Sequence, residues 1–159
     1  MMKSLSQTRN LMLAIAFGCI AALCVAMYLQ HVKDMLPCPL CVIQRYIFLS
    51  VAVICLIGAA TRMPKLWAGL ALLSSIGGAG VAGRHVYILA HPGLSCGIDP
   101  MQTALNKIFT AEYLPFIFQA NGMCEDALAP VLGLSIPQWS LLSFVLCIVG
   151  LLVALTRRP

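Results

Sequence analysis

Charge is scarce in this sequence. Only five acidic side chains and ten Lys or Arg occur in 159 residues, so 9% of the chain is charged while 61% is hydrophobic; a soluble domain carries roughly 25% charged residues. A water-soluble globular fold of this length cannot hide so much apolar surface, which excludes it. There is also no glycine-rich dinucleotide loop, so binding of a nicotinamide or flavin by that route is excluded. Internal repeats and low-complexity tracts are missing too. What the chain does have is four long runs with almost no charge.

A helix needs about 20 mostly apolar residues to cross roughly 30 Å of hydrocarbon. Four segments qualify: about Leu11 to Gln30, Val42 to Ala60, Leu66 to Ala90 and Gln138 to Thr156. They predict an all-α membrane protein, a single domain of four transmembrane helices over residues 1–159 with no room for a separate soluble domain. The first run follows Lys3 and Arg9 and could be read as a signal peptide. Its apolar stretch exceeds the roughly 7 to 15 residues of a signal core, it lacks a small-x-small exit, and Leu23 before Cys24 does not suit lipoprotein cleavage. It is therefore expected to be retained as a span.

Lys and Arg in short loops stay in the cytoplasm. Lys3, Arg9, Arg62, Lys65, Arg157 and Arg158 fall on one side, and only Lys33 and Lys107 are loop cations on the other. Both termini and the Thr61 to Lys65 turn are expected in the cytoplasm. The net charge of +5 then reflects topology and gives no reason to invoke nucleic acid. In the third span, Ser75, Ala79 and Gly83 recur at four-residue intervals, with Gly77, Gly78 and Gly80 beside them, so close helix packing is expected. Pro137 suits the first turn of the fourth helix and Trp139 the aromatic belt.

Two loops remain on the outer side, His31 to Cys41 and about His91 to Pro137. In the longer one Met101, Leu105, Ile108 and Phe109 recur at helical spacing and Tyr113 to Phe118 adds apolar surface, which predicts an interfacial helix lying on the bilayer.

Eight cysteines divide by position. Cys19, Cys24, Cys55 and Cys147 lie within spans, where a thiol acts as a small hydrophobe. Cys38, Cys41, Cys96 and Cys124 all fall in or beside the outer loops. If those loops face an oxidising compartment, these four are expected in disulfides. Three readings stay open: two structural bridges in a non-enzymatic four-helix membrane scaffold, a four-thiolate zinc site, and a thiol–disulfide relay. Zinc is the weakest, because structural sites usually use two close pairs and Cys96 and Cys124 are far apart in sequence.

The motif Cys38-Pro39-Leu40-Cys41 sits just before the second span, which puts Cys41 in or near a helix's first turn. Partial positive charge and free N–H groups there stabilise an anionic sulfur, the reactive form. Arg45 follows one turn later on the same face. A guanidinium near the interface is costly unless it snorkels, pairs or serves a function. A dithiol at this depth could give two electrons to a membrane-dissolved quinone, with Arg45 stabilising the Cys41 thiolate and polarising a quinone oxygen.

These residues resemble the disulfide bond formation protein B (DsbB) family, inner-membrane thiol:quinone oxidoreductases of bacteria. The resemblance spans nearly the whole chain: Cys38-Pro39-Leu40-Cys41 with Arg45, Gly83-Arg84 at the end of the third span, Cys96 and Cys124 in the long loop, and Ile136-Pro137-Gln138-Trp139 opening the fourth helix. It implies that a periplasmic DsbA-like thioredoxin-fold protein attacks a Cys96–Cys124 disulfide, leaving a mixed disulfide at Cys96. Cys124 would attack Cys38, and Cys41 would pass electrons to ubiquinone or menaquinone. The cofactor-binding candidates are Arg45, with Arg84 and His91 as weaker ones; His85 shares the region of Arg84, and no metal is implied.

Overall fold

The computed structural model describes residues 2–91, 98–124, 127 and 130–156, with only the backbone at 2–5 and 98–99. Four long helices, α1 (Met2–Val32), α2 (Pro39–Ala60), α3 (Pro64–Ala90) and α7 (Ile136–Thr156), form a bundle, and three short ones, α4 (Ile98–Asn106), α5 (Phe109–Tyr113) and α6 (Pro115–Phe118), occupy the long loop. Each long helix contains a stretch sufficient to cross a membrane: Ser6–Val32, Pro39–Ala60, Pro64–Ala90 and Ile136–Thr156. The expected all-α four-span architecture is what is observed.

Helix starts follow from local chemistry. Pro39 and Pro64 occupy the first turns of α2 and α3, where a missing N–H costs nothing. At α7, Gln138 Oε1 accepts from Ser135 N–H at 2.8 Å, half of a capping box. Arg9 Nη2 donates to Thr61 O at 2.9 Å, which ties the start of α1 to the α2–α3 turn.

The bundle core joins Met12, Ile15, Ala16 and Cys19 of α1 to Phe48, Val51, Ala52 and Cys55 of α2, Ala68, Ala71 and Ala82 of α3, and Phe144, Cys147 and Leu151 of α7. Phe48 and Phe144 stack at a 4.0 Å centroid distance. Large side chains such as Phe17, Leu73 and Leu146 are more than 60% exposed, as lipid-facing residues are.

Of the small residues expected to pack along α3, Ser75 and Gly78 are buried and Ala79 lies against the core, whereas Gly83 is not in the buried row. The buried positions are Pro64, Ala68, Ala71, Ser75, Gly78, Ala82, His85 and Ile88, three or four residues apart as in a helix-packing seam. A Cβ at Gly78 would stand 2.4 Å from Phe144 Cε1, while nothing lies within 4 Å of one at Gly77, Gly80 or Gly83. The aromatic ring of α7 selects the glycine.

The interfacial helix expected in the long loop is present as three short helices among the described residues. Pro115 cannot continue α5, and Ile108 is extended (φ −69°, ψ 136°). Tyr46 of α2 stacks on Phe118 at 4.3 Å and its hydroxyl meets Thr110 Oγ1, fastening α5 and α6 to the bundle. Phe109, Tyr113 and Phe116 remain exposed, consistent with an interfacial position.

Candidate active site at the amino end of the second long helix

Cys38 is the N-cap of α2 (φ −77°, ψ 166°), and its sulfur accepts from Cys41 N at 3.4 Å. The Cys-Pro-x-Cys spacing thus turns a capping interaction into a sulfur pair: Cys38 Sγ donates to Cys41 Sγ across 3.1 Å. That bond, reinforced by burial, holds the Cys38 thiol above the ordinary thiol range. The two sulfurs are unequal, with the proton kept on Cys38 and electron density directed to Cys41.

Below this pair lies a residue the sequence reading left without a role. His85 of α3 is fully buried. Its Nε2 is 3.7 Å from Cys38 Sγ and its Nδ1 is 3.5 Å from Gln44 Nε2. An amide nitrogen only donates, so Nδ1 accepts, and the ring proton resides on Nε2, facing the sulfur. The hydrogen bonds then run in one direction, from Gln44 through His85 and Cys38 to Cys41. The signal that could have found His85 is its place on the α3 seam, seven residues after Gly78. Arg84 is exposed, one position off that seam.

Cys38, Cys41 and His85 offer three ligand atoms within 4.8 Å of one another. Two thiolates on one tetrahedral zinc stand roughly 3.8 Å apart, from Zn–S bonds of about 2.3 Å, and the 3.1 Å here is shorter. The donor set as it stands suits a dithiol. A four-thiolate zinc site is also inconsistent with Cys124, which is disulfide-bonded. Cys96, its expected partner, lies outside the described residues.

Arg45, one turn after Cys41, is 6% exposed. Its Nη1 donates to Gln30 Oε1 at 2.6 Å and to Ile117 O at 2.6 Å, both neutral oxygens. Gln30 Nε2 in turn donates to Phe116 O at 3.1 Å, and His31 Nε2 lies 3.1 Å from the same oxygen. Arg45 therefore stands where α1, α2 and α6 meet, held by neutral oxygens, and among the described residues no carboxylate pairs with it.

Cys41, Gln44 and Arg45 of α2, with Ser140 and Ser143 of α7, form the polar part of a cavity of about 330 Å³ whose other walls include Leu23, Ala26, Phe48 and Trp139. This lies within the roughly 300–1,000 Å³ of small-molecule sites, which are mostly apolar with a few placed polar groups. Neither Arg84 nor His91 lines it. His91 is exposed, with Nδ1 2.9 Å from Tyr87 O and its ring against that of Tyr87.

The second cysteine region is close by. Cys124 is 2% exposed and packs in one buried cluster with Cys38, Leu40 and Ile88, with Cys41 against it. Of the intramembrane cysteines, Cys19, Cys55 and Cys147 are core residues, Cys19 and Cys147 meeting at 3.8 Å between sulfurs, whereas Cys24 faces outward.

The chain matches the family model "Disulfide bond formation protein DsbB" over residues 8–154. It is 51% identical to the disulfide bond formation protein B of Herminiimonas arsenicoxydans over 97% of this chain and 99% of that one. The protein of that name from Ralstonia nicotianae is 48% identical over 93% and 92%. That from Burkholderia pseudomallei is 41% identical over 98% and 94%. A four-span bundle, a cysteine pair capping a helix beside an apolar cavity, and likeness across nearly the full length agree: the chain belongs to the disulfide bond formation protein B family, and is by that membership a disulfide oxidoreductase of the membrane.

Proposed function

We propose that the chain is a thiol:quinone oxidoreductase of a bacterial inner membrane, with both termini cytoplasmic and its redox loops periplasmic, that reoxidises a DsbA-like thioredoxin-fold protein. The observation that carries this reading is the convergence of Cys124, Cys38 and Cys41 in one buried cluster, with Cys41 also facing the cavity that holds Arg45. One sulfur pair thereby adjoins the other, and the inner pair adjoins an apolar chamber.

In the proposed sequence a partner thiolate attacks Cys96 of a Cys96–Cys124 disulfide, and Cys124 leaves as a thiolate. Cys124 attacks Cys38; the Cys38–Cys124 bond forms, the Cys38–Cys41 bond breaks, and Cys41 departs carrying the electron pair. Its position in the first turn of α2 stabilises that charge, and His85 offers a ring nitrogen within 4.8 Å of it. The partner's second thiolate would then attack the mixed disulfide and leave oxidised, freeing Cys96, which would attack Cys124 and free Cys38. Reclosing Cys38–Cys41 gives up two electrons and two protons, which ubiquinone or menaquinone would accept when bound. Cys41 and Arg45 would hold it, Arg45 by presenting a fixed positive charge to an oxygen that becomes more negative.

The test is turnover by the full chain in lipid vesicles containing ubiquinone, with a reduced thioredoxin-fold dithiol as donor. Catalytic loss of donor thiols is expected in the native protein, none with Cys38→Ser or Cys41→Ser, and no trapped partner complex with Cys96→Ser. A scaffold held by two structural bridges would consume no thiols at all.

A further inference from the structure

The two cysteine regions are held together by backbone, and the contact is unusually close. Asn121 N and Gly122 N both donate to Pro37 O, at 3.1 and 3.0 Å. Pro37 immediately precedes Cys38, and Gly122 is two residues before Cys124. On its other side the same segment is pinned by Asn106: its Nδ2 donates to Ala120 O at 3.0 Å and its Oδ1 accepts from Ala120 N at 2.9 Å. Ala120 is fully buried.

Gly122 has no positive φ to explain it. It is needed for proximity: a Cβ there would lie 2.2 Å from Leu36 O, 2.7 Å from Leu36 C and 3.1 Å from Leu36 Cβ. Two of these three atoms are backbone, so a side chain would have to push the strands carrying Cys38 and Cys124 apart by about 1 Å to restore ordinary contact.

We infer that Gly122, with Asn106 behind it, is a positioning device that sets the rate at which electrons cross from the Cys96–Cys124 pair to the Cys38–Cys41 pair. The inference rests on the relay proposed above and concerns one step of it, attack of Cys124 on Cys38 with release of Cys41. Exchange needs the incoming sulfur close to the disulfide and in line with it, and a misplacement of about 1 Å in such a geometry costs up to about a hundredfold in rate. The reacting groups of the inner pair sit on α2 and α3; Leu36 and Pro37, on which the clamp closes, also line the cavity, so a donor that bypasses the outer pair is needed to separate an effect on the crossing from one on the cavity.

The experiment compares two electron donors on the full chain in ubiquinone-containing vesicles. A reduced thioredoxin-fold dithiol must enter through the outer pair; dithiothreitol, supplied to protein carrying Cys96→Ser and Cys124→Ser, reduces Cys38–Cys41 directly. Gly122→Ala is expected to slow quinone reduction by the protein donor at least tenfold while leaving the dithiothreitol rate within about twofold. Asn106→Ala, which removes both pins on Ala120 without adding bulk, is expected to give the same split and serves if Gly122→Ala does not fold. Equal rates with the protein donor, or equal losses with both donors, would overturn the positioning role. If the native protein reduces quinone with neither donor, the relay itself has failed and the clamp with it.

Discussion

Replacing Arg45 with Ala is the most informative single change in the cavity. The guanidinium is 6% exposed and gives two bonds of 2.6 Å to Gln30 Oε1 and Ile117 O. Truncation removes a charged donor beside Cys41 and leaves two acceptors in need of water. A hydrogen bond to a charged group contributes about 1.5–3 kcal/mol, and a donor aimed at developing charge about 2.7–4 kcal/mol. A fall of about 10² to 10³ in kcat/KM for quinone is the expected result, by the relation of about 1.4 kcal/mol per tenfold. Folding stability should fall by about 1–3 kcal/mol for the stranded acceptors. Quinone absorbance in vesicles, driven by dithiothreitol, measures the first, and alkylation of the four outer cysteines under oxidising conditions checks that both disulfides still form. Arg45→Lys, which keeps charge but not the planar fork, should lie between. An unchanged quinone dependence in Arg45→Ala would remove Arg45 from the site.

Other expectations are simpler to state. His85→Gln, which keeps a donor near Cys38, should retain more quinone reduction than His85→Leu, because His85 faces that sulfur at 3.7 Å; the ratio of their initial rates checks it. In the reduced protein at neutral pH, iodoacetamide should label Cys41 before Cys38, since the Cys38 thiol is held above its ordinary range by its bond to Cys41 and by burial; mass spectrometry after brief exposure reads the order, and Cys38 should catch up only as pH rises. Gly78→Val meets Phe144 at 2.4 Å and should destabilise the bundle by about 1–3 kcal/mol, whereas Gly80→Ala meets nothing and should leave thermal stability equal or slightly higher.

The long apolar runs made the four spans legible, because a bilayer tolerates few other sequences. Sorting the cysteines by span and loop likewise singles out Cys38, Cys41, Cys96 and Cys124, of which Cys38, Cys41 and Cys124 lie together in the fold and Cys96 falls outside the described residues. His85 was harder, since two rows of small residues run along α3 and only the Phe144 ring shows that the row through Gly78 and Ala82 is buried. The break of the interfacial helix at Ile108 and Pro115 was partly legible, as proline announces one of the two breaks. The approach of Cys124 to Cys38 left no periodic signature. It depends on backbone N–H groups of Asn121 and Gly122 meeting one carbonyl, and a lone glycine in a loop does not reveal what it touches.

The most direct measurement is electron stoichiometry in vesicles containing the full chain, ubiquinone and a reduced thioredoxin-fold dithiol, with oxygen removed. Two donor thiols should disappear for every quinone reduced, over many turnovers, and both losses should stop together in Cys41→Ser. Thiol loss without matching quinone reduction, or matched loss that persists in Cys41→Ser, would contradict a path from the outer cysteines through Cys41 into the bilayer.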